Sequence, residues 1–213
     1  VTRGGAPADE LDRLAHRVLL GSFPGPDLPV WAEDRLHRGL GGICLFGSNL
    51  PGDASPTALT ALTARIRAAG PACLVTVDEE GGDVTRLHRA TGSPYPGNAA
   101  LGAADDPALT RAVAAGIGAE LAAVGVDLDL APVADVNSNP RNPVIGVRSF
   151  GAEPEPVSRH VAAYVQGLRD AGVGACVKHY PGHGDTVLDS HLALPALDVP
   201  AAVLQERELR PFV

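Results

Sequence analysis

The chain is poor in the residues that mark several common classes of protein. Aromatic residues make up 4% of its 213 positions, with one tryptophan, too few for a platform that stacks single-stranded nucleic acid. Seventeen Lys and Arg stand against 25 Asp and Glu, a net charge of -8, and no basic run breaks that balance, so no nucleic-acid partner is expected. No apolar stretch reaches the roughly 18 residues of a membrane-crossing helix, so no membrane span is expected. The first residues, Val1 to Glu10, hold no apolar core of the signal-peptide kind. The chain opens on Val1 and contains no Met, which leaves room for a leader removed by processing. Cysteines number 3, at Cys44, Cys73 and Cys176, each in an apolar run and none in a paired spacing. Buried, reduced thiols and a cytoplasmic location are expected, with secretion the alternative if a leader has been cut. No dinucleotide-type glycine fingerprint follows the first apolar run, and no cofactor is expected.

What is present alternates between two patterns. Helical spacing covers Ala8 to His16, Trp31 to Leu40, Thr57 to Ala69, Pro107 to Val124, Glu155 to Ala171 and the stretch from Pro200 to the end. Short apolar runs bounded by glycine or proline read as strands: Arg17 to Phe23, Gly42 to Gly47, Ala72 to Val77, Val126 to Val133 and Val173 to Val177. Thr91 to Asn98 is a connection rich in Gly and Pro. With 45% hydrophobic residues, the chain can bury one full core, as one domain or most of a larger one. Strands alternating with helices imply a parallel sheet with crossover helices. The polar clusters follow the third, fourth and fifth strands, where a β/α barrel collects its chemistry. The expected fold is therefore α/β, a (β/α)₈ TIM-type barrel of which five units are present, about three short of closure.

Lysine is the scarcest charged residue: Lys178 is the only one, and every other basic residue is arginine. An ammonium is compact and offers three freely oriented donors, which a site for one short donor can require. Lys178 lies in the densest polar stretch, Cys176 to His191, directly after the fifth strand. His179, His183, Asp185, Asp189 and His191 raise the question of a metal-dependent hydrolase. They lie along a Gly-Pro loop rather than at face-sharing spacings, and no metal site is expected. Ser190 lacks the glycine elbow of a nucleophilic serine. Asp189-x-His191 reads as proton chemistry, because an imidazole titrates near neutrality and a carboxylate close by can hold its tautomer. Two further clusters stand at strand ends. Asp78-Glu79-Glu80-Gly81-Gly82-Asp83 places Asp78 first after its strand as a candidate ligand-binding residue, with Arg86 following; Glu79 and Asp83 fit a solvated acidic turn. In Asn139 to Phe150 the asparagines fit turn caps, and Arg148, among small and apolar neighbours, should meet a carboxylate or a polar ligand.

Taken together, Asp78 to Leu87, Asn142 to Phe150, Lys178 to Thr186, Asp189 to His191 and the closing Glu208-Leu209-Arg210-Pro211-Phe212 resemble family 3 glycoside hydrolases, in particular their bacterial β-N-acetylglucosaminidase branch. The resemblance implies a retaining mechanism on a small-molecule carbohydrate. It assigns His191 as general acid/base and Asp189 as its partner, and places Asp78, Arg86, Arg148, Lys178 and His179 around the sugar. The acidic motif departs from the family pattern at Glu79 and Asp83, where Gln and Arg are frequent. The family's nucleophilic Asp belongs to a later strand, so residues 1–213 are expected to form the N-terminal part of a single catalytic barrel domain whose C-terminal units lie outside this chain. Alternatives are a phosphorylase or β-glucosidase of the same family, and a catalytically inactive sugar-binding protein. Strands one and five should leave open edges.

Overall fold

The computed structural model describes residues 8–50, 56–189, 192 and 194–213. Five parallel strands, β1 (Leu20–Gly21), β2 (Gly42–Leu45), β3 (Leu74–Val77), β4 (Leu128–Asp129) and β5 (Gly174–Ala175), lie side by side in sequence order. Each pair is joined by a helical crossover. That unreversed order is the barrel type of winding, whereas a doubly wound sheet reverses direction at its centre. β1 and β5 are the two edges, as expected.

The helices form where the apolar spacing places them: α1 (Ala8–Arg17), α2 (Val30–His37), α3 (Pro56–Ala69), α5 (Pro107–Ala123) and α6 (Pro154–Asp170). Asp106 caps α5 by accepting from the Ala108 and Leu109 N–H groups, and Pro107 occupies the first turn, where its missing N–H is harmless. Along β2 and β3 the alternate residues Ile43, Leu45, Val75 and Val77 are buried in one core with Ala32, Leu36, Leu62 and Ile66 of α2 and α3. Ile117 and Leu121 of α5 join it with Val161, Tyr164 and Leu168 of α6.

The structure corrects several expectations. The ladders of β1, β4 and β5 are only two residues long, and past β4 Pro132 has no N–H to continue one. Pairing resumes near the carboxyl end with a bridge between Val133 and Lys178. Asn98–Ala104 forms an additional helix, α4, which overlaps the Gly- and Pro-rich connection only at Asn98 and otherwise fills the stretch before Pro107, to which the spacing gives no element. The last segment is not one helix: α7 (Ala201–Val203) passes into a π turn over Leu204–Glu208 and a 3₁₀ turn over Arg210–Phe212, since Pro211 cannot continue the hydrogen-bond ladder. The three cysteines are free, but only Cys73 is buried. Cys44 is half-buried, and Cys176 is exposed because it follows the edge strand β5. No helix among the described residues is long and apolar enough to cross a membrane.

Two glycine contacts set the loops that carry polar residues. Gly81 and Gly82 both adopt positive φ, 77° and 56°, which turns the loop after β3 back against Gly97. Gly102 of α4 meets the segment after Arg148 so closely that a Cβ would lie 1.7 Å from the Phe150 carbonyl oxygen. Gly102→Ala should therefore destabilise the protein by about 1–3 kcal/mol through overpacking. Thermal unfolding checks this: a Tm lowered by several degrees is expected, and an unchanged Tm would show that α4 shifts freely.

Candidate active site

Strand alternation sorts the carboxylates that follow β3. Val75 and Val77 point into the core, so Asp78 continues the opposite face while Glu79 turns back beneath the surface. Glu79 is 2% exposed and Glu80 3%, which overturns the solvated acidic turn for Glu79. Its Oε2 accepts from the backbone N–H groups of Arg86 (2.7 Å) and Leu87 (3.0 Å), and its own N–H donates to Asp129 Oδ1 at 2.9 Å. Burial pushes the Asp129 carboxyl well above the usual carboxylate range. Asp83 is exposed, and there the simple reading stands. Glu79 thus fixes the backbone of Arg86, whose Nη2 lies 3.7 Å from Asp78 Oδ2.

Lys178, just past β5, donates from Nζ to Asp78 Oδ1 and lies against Glu80 Oε1, each at 2.6 Å. One compact ammonium between two carboxylates is an arrangement that a planar fork fills poorly. Arg148 grips the same Glu80 from the other side, Nε to Oε2 at 2.9 Å and Nη2 to Oε1 at 2.8 Å. Burial alone would raise the pKa of Glu80, but Arg148 and Lys178 together hold it below the usual value. Arg148 Nη2 also approaches His179 Nε2 at 3.4 Å. The other ring nitrogen, Nδ1, lies 2.6 Å from Asp135 Oδ2, so the network assigns the proton to Nδ1 and leaves Nε2 as acceptor.

The predicted residues Asp78, Arg86, Arg148, Lys178 and His179 are thereby joined in one chain of contacts. Asp189 is half-buried, and its carbonyl accepts from the Leu192 N–H at 3.0 Å. His191 and Ser190 lie outside the described residues. The candidate metal ligands are engaged elsewhere: Asp185 pairs with Arg207, and His183 Nδ1 meets Thr186 Oγ1 at 2.7 Å. Among the described residues no group of three His, Cys, Asp or Glu is arranged to hold a metal ion.

Sequence reasoning passed over two site residues, Glu80 and Asp135. Asp135 is fully buried and receives the N–H of His183 at 2.7 Å besides binding His179. Its signal was the one that marked Asp78, a carboxylate directly after an apolar strand run. The asparagines of the same loop do cap turns, Asn139 for Arg141 and Asn142 for Val144 and Ile145. Their amides also cross to the neighbouring loop, reaching the carbonyls of Asp185 at 3.1 Å and His183 at 2.7 Å.

A parallel α/β sheet in sequence order, with a partly buried cluster of paired charges at the carboxyl ends of its strands, defines a protein of the β/α-barrel class with a polar ligand site. The chain belongs to glycosyl hydrolase family 3, whose N terminal domain matches residues 30–213. It is 42% identical over 191 residues to a β-hexosaminidase of Methylococcus capsulatus, covering 88% of this chain and 56% of that protein. β-Hexosaminidase A of Pseudoalteromonas piscicida is 37% identical over 193 residues, with 87% and 32% covered. Among solved structures, a family 3 β-N-acetylglucosaminidase from Paenibacillus sp. superposes with a TM-score of 0.88 at 40% identity, over 95% of this chain and 39% of that one. Native NagZ from Neisseria gonorrhoeae gives 0.80 at 34% identity, over 91% and 58%. The chain thus spans less than two thirds of the length of these relatives, and its five β/α units correspond to the N-terminal part of the TIM-barrel-like family fold.

Glu80 connects the site to acid stability. Arg148 and Lys178 hold its folded-state pKa below the ordinary glutamate value, so the native protein holds the ionised form more tightly than the unfolded chain does. That contribution is complete above the unfolded value and is lost as pH falls through the folded one. Glu80→Gln should lower stability at pH 7 by about 2 kcal/mol. The gap to wild type should narrow as pH drops from about 5 to about 3. Urea unfolding at the two ends of that range checks it; a gap independent of pH would mean that Glu80 is not the ionised centre of the cluster.

Proposed function

We propose that the intact protein is a retaining glycoside hydrolase that removes β-linked N-acetylglucosamine from glycans or peptidoglycan fragments. The observation that carries this reading is the sharing of Lys178 between Asp78 and Glu80, with Arg148 closing on Glu80. Each of the three cations, Lys178, Arg86 and Arg148, faces a carboxylate. A cluster whose cations are all paired presents directed donors and acceptors, which suits a neutral ligand rich in hydroxyl groups. The named activities of relatives near 40% identity support the same reading.

In this mechanism Asp78, Arg86, Arg148, Lys178 and His179 hold the sugar. His191 protonates the leaving oxygen and later takes a proton from water, and Asp189 holds its tautomer and stabilises the imidazolium. A nucleophilic Asp from a later strand, beyond this chain, forms the glycosyl-enzyme intermediate characteristic of retaining enzymes. Residues 1–213 form the N-terminal part of one catalytic barrel domain, and three unpaired cysteines fit a cytoplasmic location.

The test uses the full-length product and its His191→Ala variant on an aryl β-N-acetylglucosaminide and the matching β-glucoside. Preference for the acetamido sugar is expected, with kcat/KM reduced about 10²–10⁴-fold in the variant. An activated leaving group should restore part of that loss. Absence of turnover on either sugar by the full-length protein would overturn the proposal.

A further inference from the structure

The loop that follows Lys178 is gripped from two sides, and only one grip comes from residues already placed in the site. On the β4 side, Asp135, Asn139 and Asn142 hold it. On the other side stands the last segment of the described chain. Arg207 extends Nη2 to Asp185 Oδ2 and Nε to Glu208 Oε1, both at 2.5 Å. Glu208 is completely buried, and its Oε2 lies so close to Gly182 that a Cβ there would stand 2.7 Å from it. Tyr180 of the loop meets Phe212 edge to face, with ring centroids 5.4 Å apart.

Asp185 is therefore pinned twice, at its carbonyl by Asn139 and at its carboxylate by Arg207. Four residues further on comes Asp189. A guanidinium that joins a wholly buried carboxylate to one on a polar loop does more than neutralise the buried charge. It ties the root of the segment leading to Asp189 to the π turn at Leu204–Glu208, beside the buried Glu208. Paired Arg forks lose little freedom for each hydrogen bond formed, which suits them to hold a chain at fixed distance and angle.

We propose that Arg207 is a positioning residue for the acid/base step, holding the Asp185 turn so that Asp189 enters the site at a fixed place. This rests on the glycosidase reading above, with Asp189 as partner of the acid/base. Arg207 touches neither substrate nor reacting atoms and acts through Asp185.

The proposal predicts a loss that depends on the leaving group. Aryl groups that need protonation as they depart should suffer more than those that depart unaided. In the full-length protein, Arg207→Ala should lower kcat/KM for the phenyl β-N-acetylglucosaminide about tenfold more than for the para-nitrophenyl one. Arg207→Lys should recover part of the difference. In an Asp185→Ala background the Arg207→Ala change should add little, because the pair acts as a unit. Thermal unfolding measured alongside keeps the assays well below the Tm of each variant. An equal fractional loss on both substrates, or none, would overturn the positioning role and leave Arg207 as a structural partner of Glu208. Failure of the wild-type protein to cleave either substrate would instead sink the glycosidase reading itself, so the two failures are distinguishable.

Discussion

A carboxylate as deeply buried as Glu80 stays ionised only where its charge is matched at close range and its lone pairs are filled. Lys178 and Arg148 do both, from two different loops. Because Lys178 also binds Asp78, one buried charge joins the segments after β3, after β4 and after β5 into a single polar body. Removing either cation would leave Glu80 buried with half its partners, a loss of about 3–5 kcal/mol in comparable pairs. The order of the site and the stability of these loops are thus the same interaction viewed twice.

Around that centre the carboxylates take separate tasks according to depth. Asp78 faces the cations at the mouth. Glu79, turned under by strand alternation, has become a brace for the backbone of Arg86. Asp135 fixes the imidazole of His179 and the N–H of His183 at once. In this way an acidic chain builds a site in which each cation is paired. The loop after β4 adds a second kind of support, since Asn139 and Asn142 cap their own turns with their oxygens and cross to the loop after β5 with their amides. Each amide therefore stabilises one loop internally and fastens it to the next.

Some of this was legible in the residues. The single lysine in an arginine-rich chain marked Lys178, and the structure shows the reason in its two carboxylate contacts. Arg148 announced a carboxylate partner by its apolar surroundings. The partner itself, Glu80, was not legible, because a run of three acidic residues after a strand looks the same whether it is solvated or folded under. Asp135 was missed although it stands at a strand end as Asp78 does, since the asparagines after it drew the reading to turn chemistry. Helix α4 went unread because its seven residues, between the Gly- and Pro-rich connection and Pro107, are too few to show a helical period. Its close seating on Phe150 through Gly102 is a tertiary fact.

The sequence by itself determined the alternation of strand and helix, hence the parallel sheet and the end of it at which the polar residues gather. These follow from local periodicity, from the bounding glycines and prolines, and from the handedness that packs each crossover back on the sheet. Only the tertiary structure decided which acid meets which base. Glu80 finds Arg148 from 68 residues away and Lys178 finds Asp78 across 100, and no local pattern carries that pairing. It is set by strand register and loop packing, which bring distant charges within hydrogen-bond reach and exclude the water that would otherwise separate them.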